Sequence, residues 1–480
     1  MWVLALIRNP YPPLRTMNCH TASLAGLFVA ASALPALASN PPGESPALGT
    51  DRITQTDITG GAKTLSQIRS AGLKVFATPF NKLDGFGDGA LNLGDPTSPG
   101  HRPTLQDNGT FLRVNGLDAQ SCLECHSVGS SDVVPFRFGL GDVAGAGSNV
   151  IAGATDIDVD ASFNGSYAFV DGRFINPPFL FGSGGVELAG KEMTAELQAL
   201  KAQAQANPGV PVELTTKRVN FGTITFNPGT GFDLSDIEGI DEDLVVRPFG
   251  RKGEFISVRA FALGAMNFHF GMQPVEEVGP GVDDDGDGVI DEILTGEMSA
   301  LHIFGTNLER PTATETPDTI LGFQAFRRIG CADCHQPAVQ TFTTEISYSF
   351  PEVPEDPAAN VYYTADLVTG TAGFETNLQG GVRVPLFSDL KRHRMGPGLA
   401  ESTGGPLDNQ FITARLWGVA DTAPYLHDGR ALTLTDAILA HGGEAQRSRD
   451  AFEAIPDSEK VLLLGFLRSL RTPLDPAGDL

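Results

Sequence analysis

Two related domains, mainly α-helical and carrying loop-rich insertions, are the fold that the 480-residue sequence predicts. Three observations predict it. The pentapeptide CxxCH occurs twice, as Cys122-Leu123-Glu124-Cys125-His126 and as Cys331-Ala332-Asp333-Cys334-His335. Far downstream of each lies an apolar run at helical spacing that closes with Phe-x3-Leu-x2-Pro: Met298, Leu301, Phe304 and Leu308 before Pro311, then Leu463, Phe466, Leu467 and Leu470 before Pro473. The excess length of the first unit, between Ser127 and Leu244, is rich in glycine turns and reads as an insertion.

The pentapeptides dictate the chemistry. In CxxCH the two thiols add to the vinyl groups of haem, and the histidine that follows ligates iron through its imidazole. A dithiol redox pair or a structural zinc site uses CxxC without needing histidine directly after it. The pattern therefore implies two covalent haem c groups, one on Cys122, Cys125 and His126, the other on Cys331, Cys334 and His335.

The chain opens with Arg8 and Arg15, an apolar stretch around Leu24 to Leu34, and Ala36-Leu37-Ala38 as a small-residue cleavage site. Residues 1–38 read as a signal peptide, which implies a periplasmic or secreted protein. The apolar stretch is short and broken by Pro35, so no membrane span is expected once the signal is removed. Its removal takes Cys19 and leaves 31 basic against 58 acidic residues, a formal charge of −27. Nucleic acid is excluded as a partner on that balance, whereas a basic redox partner protein would be attracted.

Residues 39–63 have no apolar period and read as a disordered leader. Order is expected from Thr64, with an N-terminal domain over 64–311. Its insertion holds one helix, from Glu192 to Gln205, with Leu188 leading in and Met193, Leu197 and Leu200 along one face. The proline-bounded stretch from Pro311 to Pro317 is the linker, and 318–475 is the C-terminal domain.

Each iron has a proximal histidine, so its chemistry depends on the opposite axial position. In the C-terminal domain, Thr433-Leu434-Thr435-Asp436 resembles a capping box and Gly442-Gly443 a helix stop. The short helix between them carries Leu434, Ala437, Ile438 and His441 on one face, which favours His441 as the sixth ligand; Met395 is the rival. In the N-terminal domain either His269 or Met272 could approach iron, with ordinary core packing as the alternative. His269 is the candidate catalytic residue, while His302 reads as a surface or packing residue.

The turn Asp283 to Glu292 places Asp283, Asp285, Asp287, the Val289 carbonyl and Asp291 at the first, third, fifth, seventh and ninth positions of an EF-hand-like loop, with Gly288 at the sixth. Calcium fits this spacing; a solvated acidic turn is the alternative. Leu294 stands at the twelfth position, where a bidentate glutamate is usual, so Glu292 would have to substitute.

From Val382 onward the sequence resembles the di-haem cytochrome c peroxidase superfamily. Leu416-Trp417-Gly418-Val419-Ala420-Asp421-Thr422-Ala423-Pro424-Tyr425-Leu426-His427-Asp428-Gly429 is similar to that family's LRNVALTAPYFHDG signature. Ser388-Asp389-Leu390-Lys391-Arg392-His393-Arg394-Met395-Gly396 and His441-Gly442-Gly443-Glu444-Ala445 bring it nearest the di-haem oxidoreductase branch. The resemblance implies two cytochrome c-like haem domains, often a bound calcium, and electrons passing between a reactive first haem and a six-coordinate second one. It also puts the axial ligand fourteen residues after the signature histidine, at His441. Peroxidases typically carry methionine there; imidazole lowers the potential relative to thioether. Phe249-Gly250-Arg251 resembles the family's FWDGR but lacks its inter-haem tryptophan. Gly271 stands where the acid-base glutamate would be, which leaves His269 or Glu276 to supply a proton.

These readings together imply an exported di-haem c-type oxidoreductase that reacts at the N-terminal haem with a small-molecule oxidant and relays electrons through a bis-His C-terminal haem. Two alternatives stand beside it. One is a non-enzymatic electron carrier in which His269 or Met272 closes the first iron. The other is an oxygenase similar to the rubber-cleaving members, with an apolar pocket around Phe261, Phe268 and Phe270.

Overall fold

In each half of the chain a glycine lets one helix lie directly on another. The computed structural model describes residues 44–87, 112–113, 119–126, 156–159, 168–171, 176–401 and 405–473. The expected signal peptide at 1–38 lies outside them. Ten α-helices occur among the described residues: α1 (Gln55–Thr59), α2 (Leu65–Ala77), α3 (Ser183–Ala206), α4 (Val258–Ala265), α5 (Val275–Val278), α6 (Thr295–Thr306), α7 (Pro317–Arg328), α8 (Leu434–Leu439), α9 (Gln446–Ala454) and α10 (Asp457–Leu467). Helix α2 crosses α6 at Gly72, where a Cβ would stand 2.2 Å from the Ala300 carbonyl oxygen and 2.5 Å from the Phe304 Cβ. Helix α7 crosses α10 at Gly322, where it would stand 2.1 Å from the Leu462 oxygen and 2.8 Å from the Phe466 Cβ. Phe304 and Phe466 are the matched phenylalanines of the two Phe-x3-Leu-x2-Pro runs, and Ala300 and Leu462 precede them by one turn. The internal echo is therefore the same helix crossing built twice.

The expectation of a mainly α fold is corrected by fifteen strands in six small sheets among the described residues. The insertion supplies an antiparallel sheet of Val212–Thr216, Val219–Asn227 and Gly231–Ile237. Val212, Leu214 and Thr216 are buried while Glu213 and Thr215 face out, the period of two that a half-covered strand requires. Glycine content there marks turns between strands rather than loops alone. A second group of strands, including Glu345–Ser349 and Val361–Asp366, lies between the second CxxCH and the signature.

Two boundaries also differ from expectation. The leader is ordered from residue 44: Thr54 caps α1 with a capping box, and Leu48, Ile53 and Ile58 are buried. Widely spaced apolar residues each find a place in the core there, without the period that announces a helix. Thr312–Ala313, within the expected linker, pairs antiparallel with Leu470–Arg471. The connection is thus tied to the far end of the C-terminal half.

Three clusters of buried side chains result. The largest joins α3 and its sheet to Val339, Ile346, Tyr348 and Trp417 from the C-terminal half. A second holds Phe76, Phe80, Phe181, Met266, Phe270, Met272 and Phe304 against Cys122 and Cys125. The third holds Phe326, Phe387, Leu434 and Phe466 against Cys331. Each CxxCH thus borders an aromatic-rich core.

Candidate haem sites

Thr316 caps α7 with Pro317 at its first position, and the helix runs to Arg328 before a left-handed Gly330 (φ 90°) turns the chain into Cys331. His335 lands beside Phe326 and donates its Nδ1–H to the Phe387 carbonyl at 3.0 Å. On the opposite side the Thr433 hydroxyl caps α8, and His441 donates Nδ1–H to the Ala437 carbonyl at 2.7 Å. The two imidazole centroids are 6.4 Å apart. A metal–nitrogen bond of about 2 Å on each side plus half of each ring gives roughly this separation, so iron fits between them. Nδ1 of both rings is occupied, which fixes the tautomer and leaves Nε2 for the metal. Burial, and secondarily the nearby His441, push His335 down to about 4; burial also lowers His441. Neutral imidazoles are what a metal requires.

Gly443 carries this geometry. Its φ is +54°, and a Cβ there would stand 2.1 Å from the Arg394 carbonyl oxygen. The chain after His441 is therefore pressed onto the Arg392–Arg394 strand, where His393 lies between Asp389 (2.9 Å) and Glu444 (2.7 Å). Met395, the rival ligand, has its main chain against Gly442.

The first site repeats the arrangement with differences. Cys122 opens a short 3-10 turn, and burial pushes its thiol up to about 12, as it does for Cys331. Thiols held neutral in this way are unlike the acidic thiols of dithiol redox pairs. His126 lies 6.3 Å from the Phe76 ring and is pushed down to about 3, by burial first and by the charge of His269 second. The His126 Nδ1 has no hydrogen-bond partner among the described residues, unlike that of His335. His269 sits in a π-helical turn, Met266–Phe270, that continues α4 and ends at a left-handed Gly271. Such turns are frequent at functional sites. Met272 is fully buried in the same cluster.

The carboxylate expected to assist is committed elsewhere. Glu276 forms a buried ion pair with Arg259, which also donates to Ser299. Of the phenylalanines expected around a shared pocket, Phe261 packs on Phe255 and Phe270 on Phe80, and the Phe268 side chain lies outside what the structure describes.

In the acidic turn, carboxylate oxygens of Asp283, Asp285 and Asp287 lie within 4.8 Å of one another. Asp283 accepts from the N–H groups of Gly286 and Gly288, and Asp291 accepts from Gly281 N–H at 2.7 Å. Glu292 is 3% exposed and accepts from Gln273 N–H at 2.7 Å. Burial, with the charges of Asp285, Asp287 and Asp283, pushes Glu292 up to about 8; burial chiefly pushes Asp285 up to about 6. A carboxylate cluster whose buried Asp285 Oδ2 has no hydrogen-bond partner among the described residues suits a dication such as calcium.

Sequence reasoning missed the environment of His302. It is fully buried, with Nε2 2.9 Å from both Glu187 oxygens, and Lys191 approaches Glu187 at 2.7 Å. The i,i+4 pair Glu187 and Lys191 on an otherwise apolar face was the available signal.

Two CxxCH motifs, each bordering an aromatic-rich core, are the pattern of a di-haem redox protein. Residues 306–470 match the family model described as "Di-haem oxidoreductase, putative peroxidase", in agreement with the branch that the sequence resembles. No curated protein matches the chain. Among solved structures the chain is similar to the hydrazine synthase of Kuenenia stuttgartiensis, at 16% identity over 53% of this chain and 78% of that one, with a TM-score of 0.27. It is also similar to a MauG-like protein associated with microbial copper homeostasis, at 17% identity over 48% and 71%, with a TM-score of 0.26. Superpositions this loose carry no argument. No helix among the described residues is long and apolar enough to cross a membrane.

Proposed function

We propose that the chain is an exported di-haem c-type oxidoreductase, with reaction at the N-terminal haem and electron relay through a C-terminal haem held by His335 and His441. The observation that carries this reading is the unequal holding of the two proximal histidines. His335 is fixed by the Phe387 carbonyl and faced by His441 at 6.4 Å, whereas the Nδ1 of His126 is unheld among the described residues. A bound haem would supply an iron that changes oxidation state by one electron. Around it, Cys122 and Cys125 would fix the ring covalently, Phe76 and Phe304 would exclude water, and His269, whose charge reaches His126, would hold or deliver a proton. With Glu276 paired to Arg259, His269 is the titratable group left for that role among those singled out. A redox partner protein or a small-molecule oxidant would complete the reaction.

A second reading has its own support. The charge of His269 reaches His126 much as that of His441 reaches His335, which favours a carrier in which His269 closes the first iron. Optical and EPR spectra of the oxidised holoprotein, before and after hydrogen peroxide or dioxygen, separate the two. The enzyme gives a high-spin signal that is lost in His126→Ala, together with turnover of oxidant. Two low-spin haems indifferent to both oxidants would leave only the carrier.

Calcium bound by Asp283, Asp285, Asp287, the Val289 carbonyl and Asp291, with Glu292 closing from below, belongs to the same proposal. It rests on the gathering of Asp283, Asp285 and Asp287 oxygens within 4.8 Å of one another and on Asp285 and Glu292, whose carboxyls are raised by burial and by their neighbours' charges.

A further inference from the structure

A buried N–H with nothing to donate to and a guanidinium with no carboxylate lie two residues apart in the signature segment. Trp417 is 3% exposed, and its Nε1 has no hydrogen-bond partner among the described residues. Arg415 donates to main-chain carbonyls, Pro248 O at 3.1 Å and Phe179 O at 3.2 Å. No carboxylate pairs with it among the described residues, and burial pushes its guanidinium down to about 10. Neutral carbonyls do not offset a charge withdrawn from water, and an indole N–H left unpaired is similarly costly. Both groups call for an anion.

Their place in the fold narrows its identity. The carbonyl of Ala414 is directed at His335, and Leu416 and Val419 pack on the cluster that holds Cys331. From the other side the Phe179 ring closes on Gly418, where a Cβ would stand 2.4 Å from it. Phe179 stands edge-on to Phe181 at 5.8 Å, and Phe181 belongs to the cluster that holds Cys122 and Cys125. Asn176 ties the same segment down, its N–H to the His427 carbonyl at 2.8 Å and its side chain to Pro424 and Leu426. Residues 415–418 therefore lie between the two CxxCH clusters, with the Trp417 ring itself set in the largest cluster. The carboxylates that reach such a seam in a haem protein are the propionates of the haem itself.

We propose that Arg415 and Trp417 together hold a haem propionate at the seam between the two clusters, the guanidinium supplying the charge and the indole N–H a directed hydrogen bond. Arginine suits this task because its donors match a carboxylate in geometry as well as charge. The assignment rests on both CxxCH motifs carrying haem. A fixed cation beside the ring disfavours the oxidised iron and so raises that haem's potential.

The test uses full-length holoprotein, with haem first counted as the pyridine haemochrome, followed by redox titration and resonance Raman spectra of Arg415→Gln, Arg415→Lys and Trp417→Phe. Arg415→Gln is expected to shift the reduction equilibrium of one haem toward the oxidised form about tenfold, about 59 mV for one electron. Arg415→Lys should restore most of that shift, and Trp417→Phe should move the propionate bending band of the same haem. Should Arg415→Gln fail to accumulate, Trp417→Phe reads the same band with the ring's bulk preserved. Full haem content with reduction equilibria within about twofold of the parent and an unmoved band would overturn the propionate assignment alone. A chain that carries no haem would overturn it together with the reading on which it rests.

Discussion

His335 and His441 face each other with ring centroids 6.4 Å apart, and each spends its Nδ1–H on a main-chain carbonyl, Phe387 for one and Ala437 for the other. The arrangement leaves Nε2 of each ring for a metal, and the centroid separation is about what two imidazole ligands of one ion require. Neither histidine is oriented by chance, since a helix cap at Thr433 sets one and the turn at Gly330 the other.

Replacing His441 by methionine exchanges imidazole for thioether. The potential of the second haem should rise, on the order of 0.1 V within the roughly 0.8 V that axial ligands span. Potentiometric titration checks this, and an unchanged potential would remove His441 from the iron.

Gly443→Ala adds a Cβ where φ is +54° and the Arg394 carbonyl oxygen is 2.1 Å away. The loop after α8 must then shift, at a cost of about 1–3 kcal/mol. Because His441 lies two residues upstream, the Soret and α bands of the second haem should change along with Tm. A loss of Tm with unaltered bands would show that Gly443 supports the fold without positioning the ligand.

How much of this was legible in the sequence varied with the kind of signal. The pentapeptides, the capped helix that leads to His441 and the spacing of the three aspartates are local patterns, and each corresponds to a local geometry. The glycines at the two helix crossings, Gly72 and Gly322, could not be read, because a close approach depends on what lies across from it. The strands of the insertion were legible in principle: Val212, Leu214 and Thr216 alternate with Glu213 and Thr215. Glycine-rich neighbours drew attention to turns and away from that period. The His302–Glu187 pair joins positions 115 residues apart, and the local pair Glu187 and Lys191 marks a buried charge without naming its partner.

Asp283→Asn with Asp287→Asn removes two carboxylates from the acidic turn. The parent should gain about 2.7 kcal/mol of stability at calcium a hundredfold above Kd, and the double variant should gain none. Thermal unfolding with calcium and with chelator decides it. Equal calcium-dependent shifts in both proteins would place the ion elsewhere.

Glu187 provides the pH dependence. Burial alone would raise its carboxyl, but His302 and Lys191 hold it well below its ordinary value of 4.5. The unfolded chain therefore binds more protons than the folded one below that value, so this stabilisation is present at neutral pH and lost as pH falls below about 4.5. Glu187→Gln should lower stability at pH 7 by about 3–5 kcal/mol and flatten the acid limb of a stability profile. An acid limb of unchanged slope would count against the coupling.

The most direct test of the central claim is the EPR spectrum of the oxidised holoprotein and of His441→Ala at equal haem content. A low-spin bis-imidazole signal present in the parent and absent in the variant, with the other haem's signal retained, is the predicted result. The same low-spin signal persisting without His441 would contradict it.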